Sequence, residues 1–351
     1  MEDTSVNQSA AISVQAGLHH QYFLGLQLMV AVEESRQTVF EWMFRLFRRQ
    51  HEEKFLSSFE KLGLTGLPHA VACAKYHVLS NGVGGVAVEY MEESEQKAWV
   101  RFRYPRWMYD GPAICGIPVE ASRGFLHGWY ARNGVSLNNP RLGFVCVSED
   151  VTGQFGLCGY FKEYDHDLSE DERLVFAPDE PVPDYDDASQ PAPPANEWSE
   201  ERLAKANRNY AVEYIRNGMS ALTEVLGAQR AIELASRAGR LTGLQHYSNM
   251  AKALGAKDGD LIDAATFLKN VMQGMGDGCS IATNPDGTVH MTQTGLRIIR
   301  GLSEDAAANL LKPWLEVWKG SIHSHQKFMH VECKVANGQI LWTIRPVQTG
   351  S

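Results

Sequence analysis

VAVEYMEESEQKAWVRFRY, residues 86–104, is the stretch in which the spacing of apolar residues changes. Before it they recur at helical intervals, and within it they alternate. Val86–Tyr90 and Lys97–Tyr104 therefore read as strands joined by the charged turn MEESEQ. Upstream, Leu18 to Gln50 carries a wide apolar stripe of helical period and reads as one long helix, with a possible break near Glu33–Ser35. A second helix is expected near Glu52–Leu62, stopped at Gly63, and a third near Pro68–Leu79, ended at Asn81-Gly82. Residues 1–17 are polar and read as a flexible tail.

Downstream, WMYDGPAICGIPVEASRGFLHGW (Trp107–Trp129) leads from the end of an aromatic strand through a Gly/Pro turn into a helix. Gly143–Ser148 and Gln154–Tyr164 then read as a second strand pair. Glu163–Arg202 holds six of the fourteen prolines, many acids and almost no aliphatic clusters. Residues 166–199 are accordingly expected to be an acidic, Pro-rich linker. After it the pattern restarts. Helices are expected at Glu200–Leu226, Ala228–Ala238, Thr242–Leu254 and Asp260–Met275. Strands follow at Cys279–Thr283 and Val289–Arg297 around Asn284–Gly287, then a helix at Glu304–Trp318. A last strand pair spans Phe328–Val335 and Gln339–Pro346 around Asn337-Gly338.

The recurrence extends to residues. A shift of 192 brings Tyr22 onto Tyr214, Glu41 onto Glu233, Arg45 onto Arg237, Arg48 onto Arg240 and Leu62-Gly63 onto Leu254-Gly255. A shift of 190 brings Gly111 onto Gly301, and 189 brings Phe125-Leu126 onto Trp314-Leu315 and Trp129 onto Trp318. A shift of 185 brings Gly153-Gln154 onto Gly338-Gln339. The drift falls in expected loops, where insertions are tolerated. The fold class that follows is α+β: two tandem copies of a helices-then-antiparallel-sheet unit, 18–165 and 200–351, packed as a pseudo-dimer.

Composition narrows the function classes. The 351 residues are 44% hydrophobic with a formal charge of −9. That balance argues against a nucleic-acid binder, which needs a basic face, and against attachment to anionic membrane. Six cysteines form no Cys-x-x-Cys pair, no basic leader precedes an apolar run, and no apolar run is long enough to span a bilayer. The expectation is a cytoplasmic protein that acts on a small molecule, with assembly as a homo-oligomer left open.

Cys115 is the sharpest chemical candidate. A sulfur just ahead of a helix start meets free N–H groups and the positive end of the dipole, which favours thiolate. Asp110 and His127 are the candidate proton handlers, although twelve residues separate Cys115 from His127. The plain alternative is a small buried hydrophobe. Phe102, Arg103, Trp107, Tyr109 and Trp129 flank the thiol and are candidate substrate-binding residues, with ordinary core packing as the alternative. His323 and His325 lie two apart on an expected extended segment and form a weak candidate metal pair; helix-end histidines are the simpler reading. Glu41, Arg45 and Arg48 recur in both copies and read as structural. Otherwise no cofactor is expected.

Cys115 in DGPAICGIP, the NPRL segment Asn139–Leu142 and Cys158 in GLCGYF give the first copy a resemblance to the L-2-amino-thiazoline-4-carboxylic acid hydrolase-like family. The order of elements is also similar to vinyl-reductase-type and TRAPP-type small-ligand domains. The resemblance covers about 22–165 and, more faintly, 208–347. It implies ring-opening hydrolysis of a small cyclic C–N bond. The second copy departs from the pattern, since no Cys aligns with Cys115 and Glu316 stands at the place of His127. The leading expectation is thus a C–N hydrolase sited in the first copy. The alternatives are a non-catalytic small-ligand-binding or sensory module, and a scaffold or partner protein.

Overall fold

The computed structural model describes residues 8–104, 110–193, 199–325 and 329–347, and the chain divides into two compact units. One comprises residues 30–203. The other joins the N-terminal residues up to Met29 to those from Ala204 onward. Each carries helices followed by an antiparallel sheet, so the α+β tandem stands. No helix among the described residues is long and apolar enough to cross a membrane.

The first helix, α1 (Gln8–Glu33), corrects two expectations. The supposed tail is helical from Gln8, with Ala11, Ile12, Gln15 and Ala16 buried. As far as Met29 it belongs with the second copy, not the first. Its apolar residues run around the whole circumference: Leu18, His19 and His20 are all buried, as are Tyr22, Phe23 and Leu24. A helix of that kind needs cover on every side. It ends where the sequence suggests, at Glu33. Ser35 then caps α2 (Arg36–Lys54), its hydroxyl accepting from the Thr38 N–H at 3.0 Å.

The unit 30–203 continues with α3 (His69–Val83), β1 (Val88–Ser94), β2 (Lys97–Phe102), α4 (Val119–Gly128), the single turn α5 (Asn133–Ser136), β3 (Leu142–Ser148), β4 (Cys158–Glu163) and β5 (Leu174–Phe176). The expected helix at 52–62 is instead the end of α2 followed by a 3-10 turn, Leu56–Ser58, and Gly63 takes a positive φ of 68°. The sheet order is β1-β2-β4-β3-β5. The first four strands pair antiparallel, while β5 runs parallel to β3. One face packs on α3 through Val100, Phe102, Phe144 and Phe161; the His77 ring stacks 5.5 Å from Phe161. The supposed linker is therefore part of this unit. Its strand β5 lines one edge of the sheet. At the other edge the Gln190 amide accepts from Tyr90 N (2.9 Å) and donates to Tyr90 O (2.8 Å), as a neighbouring strand would.

The second unit holds α1 up to Met29, α6 (Glu200–Leu226) from Ala204, α7 (Ala228–Ala253), α8 (Leu261–Met275), β6 (Gly278–Thr283), β7 (Val289–Thr294), α9 (Glu304–His325), β8 (Met329–Ala336) and β9 (Gln339–Pro346). Its sheet order, β6-β7-β9-β8, repeats the first four strands of the other sheet. Two helices expected at 228–254 are one, α7, whose middle is pressed on α9. The Tyr22 hydroxyl of α1 donates to Ala235 O at 3.0 Å, and the Trp314 indole donates to His19 at 3.0 Å.

Each unit crosses two helices at backbone contact, but the small residues are distributed differently between the partners. In α4, a Cβ at Gly124 or Gly128 would lie 2.6 Å from the Phe40 or Phe44 carbonyl oxygen of α2. At the shift of 189 those glycines correspond to Pro313 and Val317 of α9. There glycines come from both partners: a Cβ at Gly243 or Gly239 of α7 would lie 1.9 Å from Val317 O or 2.9 Å from Pro313 O, and one at Gly320 of α9 2.2 Å from Arg240 O. One packing solution is thus reached by different residues.

Candidate functional site

The face of the first sheet turned away from α3 is apolar at its centre and charged at both ends. Met91 pairs with Trp99, Trp99 with Tyr160 and Tyr160 with Val145, giving one row across four strands. With Val147 and Cys158 they form a buried cluster, against which Ala177 and Val182 pack from above. The segment 176–185 is therefore a strap across the sheet. Its mooring is Glu180, which accepts from Tyr160 (3.0 Å) and pairs with Lys97 (3.2 Å). Lys97 also pairs with Glu93 at 3.0 Å and lies 4.2 Å from the centre of the Tyr160 ring.

Between strap and sheet lies a cleft of about 770 Å³, bounded by Arg101, Arg123, Phe155, Phe176 and Tyr185. It adjoins a groove of about 730 Å³ that shares Arg101 and Phe155 and reaches Tyr104, Asp150 and Cys115. Most charges here are already neutralised. Glu89, nearly buried, is bonded by both Arg101 and Arg103. Burial alone would raise its pKa, but those two guanidinium groups hold it below the usual carboxylate value. Arg123 grips Glu149 in a two-bond fork at 2.7 and 2.9 Å. Asp150 accepts from Ser122 at 3.0 Å and from Tyr104 at 3.2 Å. Asp179 and Asp184 also line the cleft and carry no partner among the described residues.

The residues chosen from sequence are dispersed. Cys115 is exposed, alone among the six thiols, at the end of a 3-10 turn, Gly111–Cys115. The helix it was expected to head begins only at Val119, with Pro118 at the cap position. Gly116 and Ile117 both turn their N–H groups back to Ala113 O, at 2.9 and 3.2 Å, so no helix terminus is aimed at the sulfur. Asp110 precedes that turn and makes no side-chain cap bond to it. His127 is on α4, half-buried, with its ring 5.6 Å from Phe40 of α2. Burial, then Arg123, lowers its pKa. No interaction among the described residues joins it to Cys115. Trp107 and Tyr109 lie outside the described residues.

Phe102 and Trp129 are core, and Arg103 is an ion-pair partner of Glu89. Trp129 belongs to a buried group beside His51 and His77, at ring separations of 5.4 and 6.2 Å. Asn133 links the two histidines, its Oδ1 accepting from His51 Nε2 at 3.1 Å and its Nδ2 donating to His77 Nε2 at 3.4 Å. His323 and His325 do not sit on an extended segment, because α9 runs through both. Two positions apart on a helix they diverge: His323 meets Arg240 at 2.7 Å, while buried His325 bonds Tyr247. They do not form a chelating pair. Among the described residues no group of three potential metal ligands is found.

What sequence reading missed is the roofed cleft itself. The available signal was the outer row Met91, Trp99, Val145 and Tyr160, apolar where one-sided alternation should place polar residues. No protein-family model, curated protein or solved structure matches the chain.

Proposed function

We propose that the first unit is a small-molecule-binding unit whose site is the cleft beneath the strap and the groove joined to it. The observation that carries this reading is a cleft of about 770 Å³ whose walls combine the aromatic Phe155, Phe176 and Tyr185 with charged groups. That size and mixed lining suit a flat, partly apolar molecule of metabolite size. The test is a thermal-shift screen of small aromatic and heteroaromatic compounds on the full chain. Hits are then titrated against Phe155→Ala and Arg101→Gln. Loss of about tenfold or more in affinity supports the site, on the scale of one buried aromatic or charge-assisted contact. Hits that bind both variants as they bind the parent sink it.

Hydrolysis of a small cyclic C–N bond is a second reading, favoured by one observation: the exposed thiol, Cys115, opens on the groove continuous with the cleft. In that reading Cys115 is the nucleophile, and proton transfer comes through solvent or the ligand rather than His127. Fast alkylation of Cys115 near neutral pH supports it. Unimpaired turnover by Cys115→Ser removes it and leaves the binding role intact.

A further inference from the structure

The second unit gathers arginines where α8 ends. Arg208 comes from α6, Arg297 from the turn after β7, and Arg300 from three residues on. Arg208 and Arg297 meet at Gly276, the left-handed C-cap of α8 at φ 90°. A Cβ built there would lie 3.2 Å from Arg208 Nη1 and 3.2 Å from both Nε and Nη2 of Arg297. Two guanidinium groups from separate elements thus lie against one point of backbone, an approach that the missing side chain permits.

These cations are under-compensated. Arg297 donates through Nη1 to Asn209 Oδ1 (3.2 Å), and Arg208 and Arg300 have no hydrogen-bond or ion-pair partner among the described residues. The Nε atoms of Arg208 and Arg297 and the Asn207 Oδ1 are buried and unbonded. Asp277, 5% exposed, is the carboxylate beside them, and its oxygens are taken by Arg297 N (2.9 Å) and Gln293 Nε2 (2.8 Å). No arginine side chain forms an ion pair with it among the described residues. Burial, then the neighbouring Arg297 and Arg300, lowers the pKa of Arg208, with Asp277 opposing them. The turn that presents Arg297 is itself fixed. Leu296 is held at φ 25°, and Arg216 donates to the carbonyls of Arg297 (2.6 Å) and Ile298 (3.2 Å). The negative end of α8 accounts for one arginine near its C-terminus, not for three sharing one occupied carboxylate.

We propose that this arginine cluster is an oxyanion site that takes the phosphate group of a small phosphorylated ligand. Guanidinium forks pair bidentately with phosphate oxygens, and two forks from different directions match a tetrahedral anion better than a planar one. The site is independent of the cleft in the first unit. Under the shift of 192 Ala16 stands at the place of Arg208, so this arginine is not repeated in the duplicated sequence.

The experiment is calorimetric titration of the full chain with inorganic phosphate at constant ionic strength, with acetate as the planar control. With a net charge of −9 the protein as a whole repels phosphate, so saturable binding would report a local site. One phosphate per chain is expected, weakened about 10- to 100-fold in Arg208→Gln, the range for a lost charge-assisted bond. Arg300→Gln, whose circular dichroism is compared with the parent's, serves if Arg208→Gln does not fold. Arg208→Lys, which keeps the charge and loses the fork, is expected to bind weakly. Absence of saturable heat overturns the proposal, as does unchanged affinity in folded Arg208→Gln or Arg300→Gln. Acetate binding as tightly as phosphate also overturns it, in favour of a carboxylate ligand.

Discussion

The two sheets share the order of four strands, yet among the described residues one wears a roof and the other does not. In the first, both faces of the central strands are apolar: α3 covers one, and the strap with Ala177 and Val182 covers the other. In the second, β7 alternates strictly. Val289, Met291 and Gln293 point inward, and His290, Thr292 and Thr294 point outward. The outward rows of that sheet, Ala282–His290–Thr343–Glu332 and Ser280–Thr292–Leu341–Lys334, are polar or small apart from Leu341. A polar outer face is stable in water as it stands. An apolar one needs cover, so the composition of one row decides whether a copy keeps a roof and the cleft beneath it.

The comparison breaks most visibly at the row itself. Trp99, 1% exposed under the strap, is core despite lying on the outer face. Trp99→Ala is expected to cost about 3–5 kcal/mol, the range for deleting a buried indole. Thr292→Ala, on the corresponding outward face of β7, should cost below about 1 kcal/mol. Urea unfolding of both variants decides the matter. Similar losses would show that the strap shields nothing and that the two outer faces are equivalent.

How much of this was legible beforehand depended on distance in sequence. The break at Glu33–Ser35, the bounds of α6 and the turns at Asn284–Gly287 and Asn337-Gly338 are local events set by caps and turn residues, and they appear where the chain announces them. The strap was mistaken for a linker because its apolar anchors, Leu174, Ala177 and Val182, are too sparse to make a core. They gain burial from strands spread from Met91 in β1 to Tyr160 in β4, brought together only by the fold. Cys115 misled for the opposite reason. Its Gly/Pro setting looks like a helix start, but Pro118 delays that start to Val119. The arginine cluster left only faint traces, since Arg208 and Arg297 converge from far-separated elements; the glycine at 295 and the second arginine at 300 were its sole local marks.

A smaller effect comes from histidines, and it tests whether the units respond alike. His51 in one unit and His19 in the other are each lowered to about 4, in both cases chiefly by burial. Arg48 and Arg132 add to the lowering at His51, against the bond from Asn133. A base whose folded pKa lies below its unfolded 6.5 is neutral in the fold and takes up a proton on unfolding in between. That stabilisation is complete above about 6.5 and is lost as the pH falls toward 4. Between pH 6.5 and about 5 most carboxylates remain ionised in both states, so the histidines dominate. Each should then remove about 2 kcal/mol from its unit by pH 5. Thermal unfolding at pH 7 and pH 5 reads this out, and a Tm unchanged between them contradicts the buried, neutral assignment.

The smallest effect in free energy concerns the mooring of the strap, and it is the most local. Glu180 and Lys97 are 28% and 22% exposed, so their pairing is partly screened, and the Tyr160 hydroxyl adds one bond. Glu180→Ala is therefore expected to lower global stability by about 1 kcal/mol at most. Its consequence should be kinetic. With Glu180 gone, the central strap keeps only Ala177 and Val182 against the sheet, while β5 and Gln190 still fix its two ends. A segment tied at its ends and loose in the middle opens without unfolding its unit. Limited proteolysis within 178–185 should accordingly accelerate several-fold in Glu180→Ala while the Tm barely moves. Equal cleavage rates would mean that the packing of Ala177 and Val182 alone holds the roof. The second sheet would then lack a roof only because its outer row offers nothing apolar to grip.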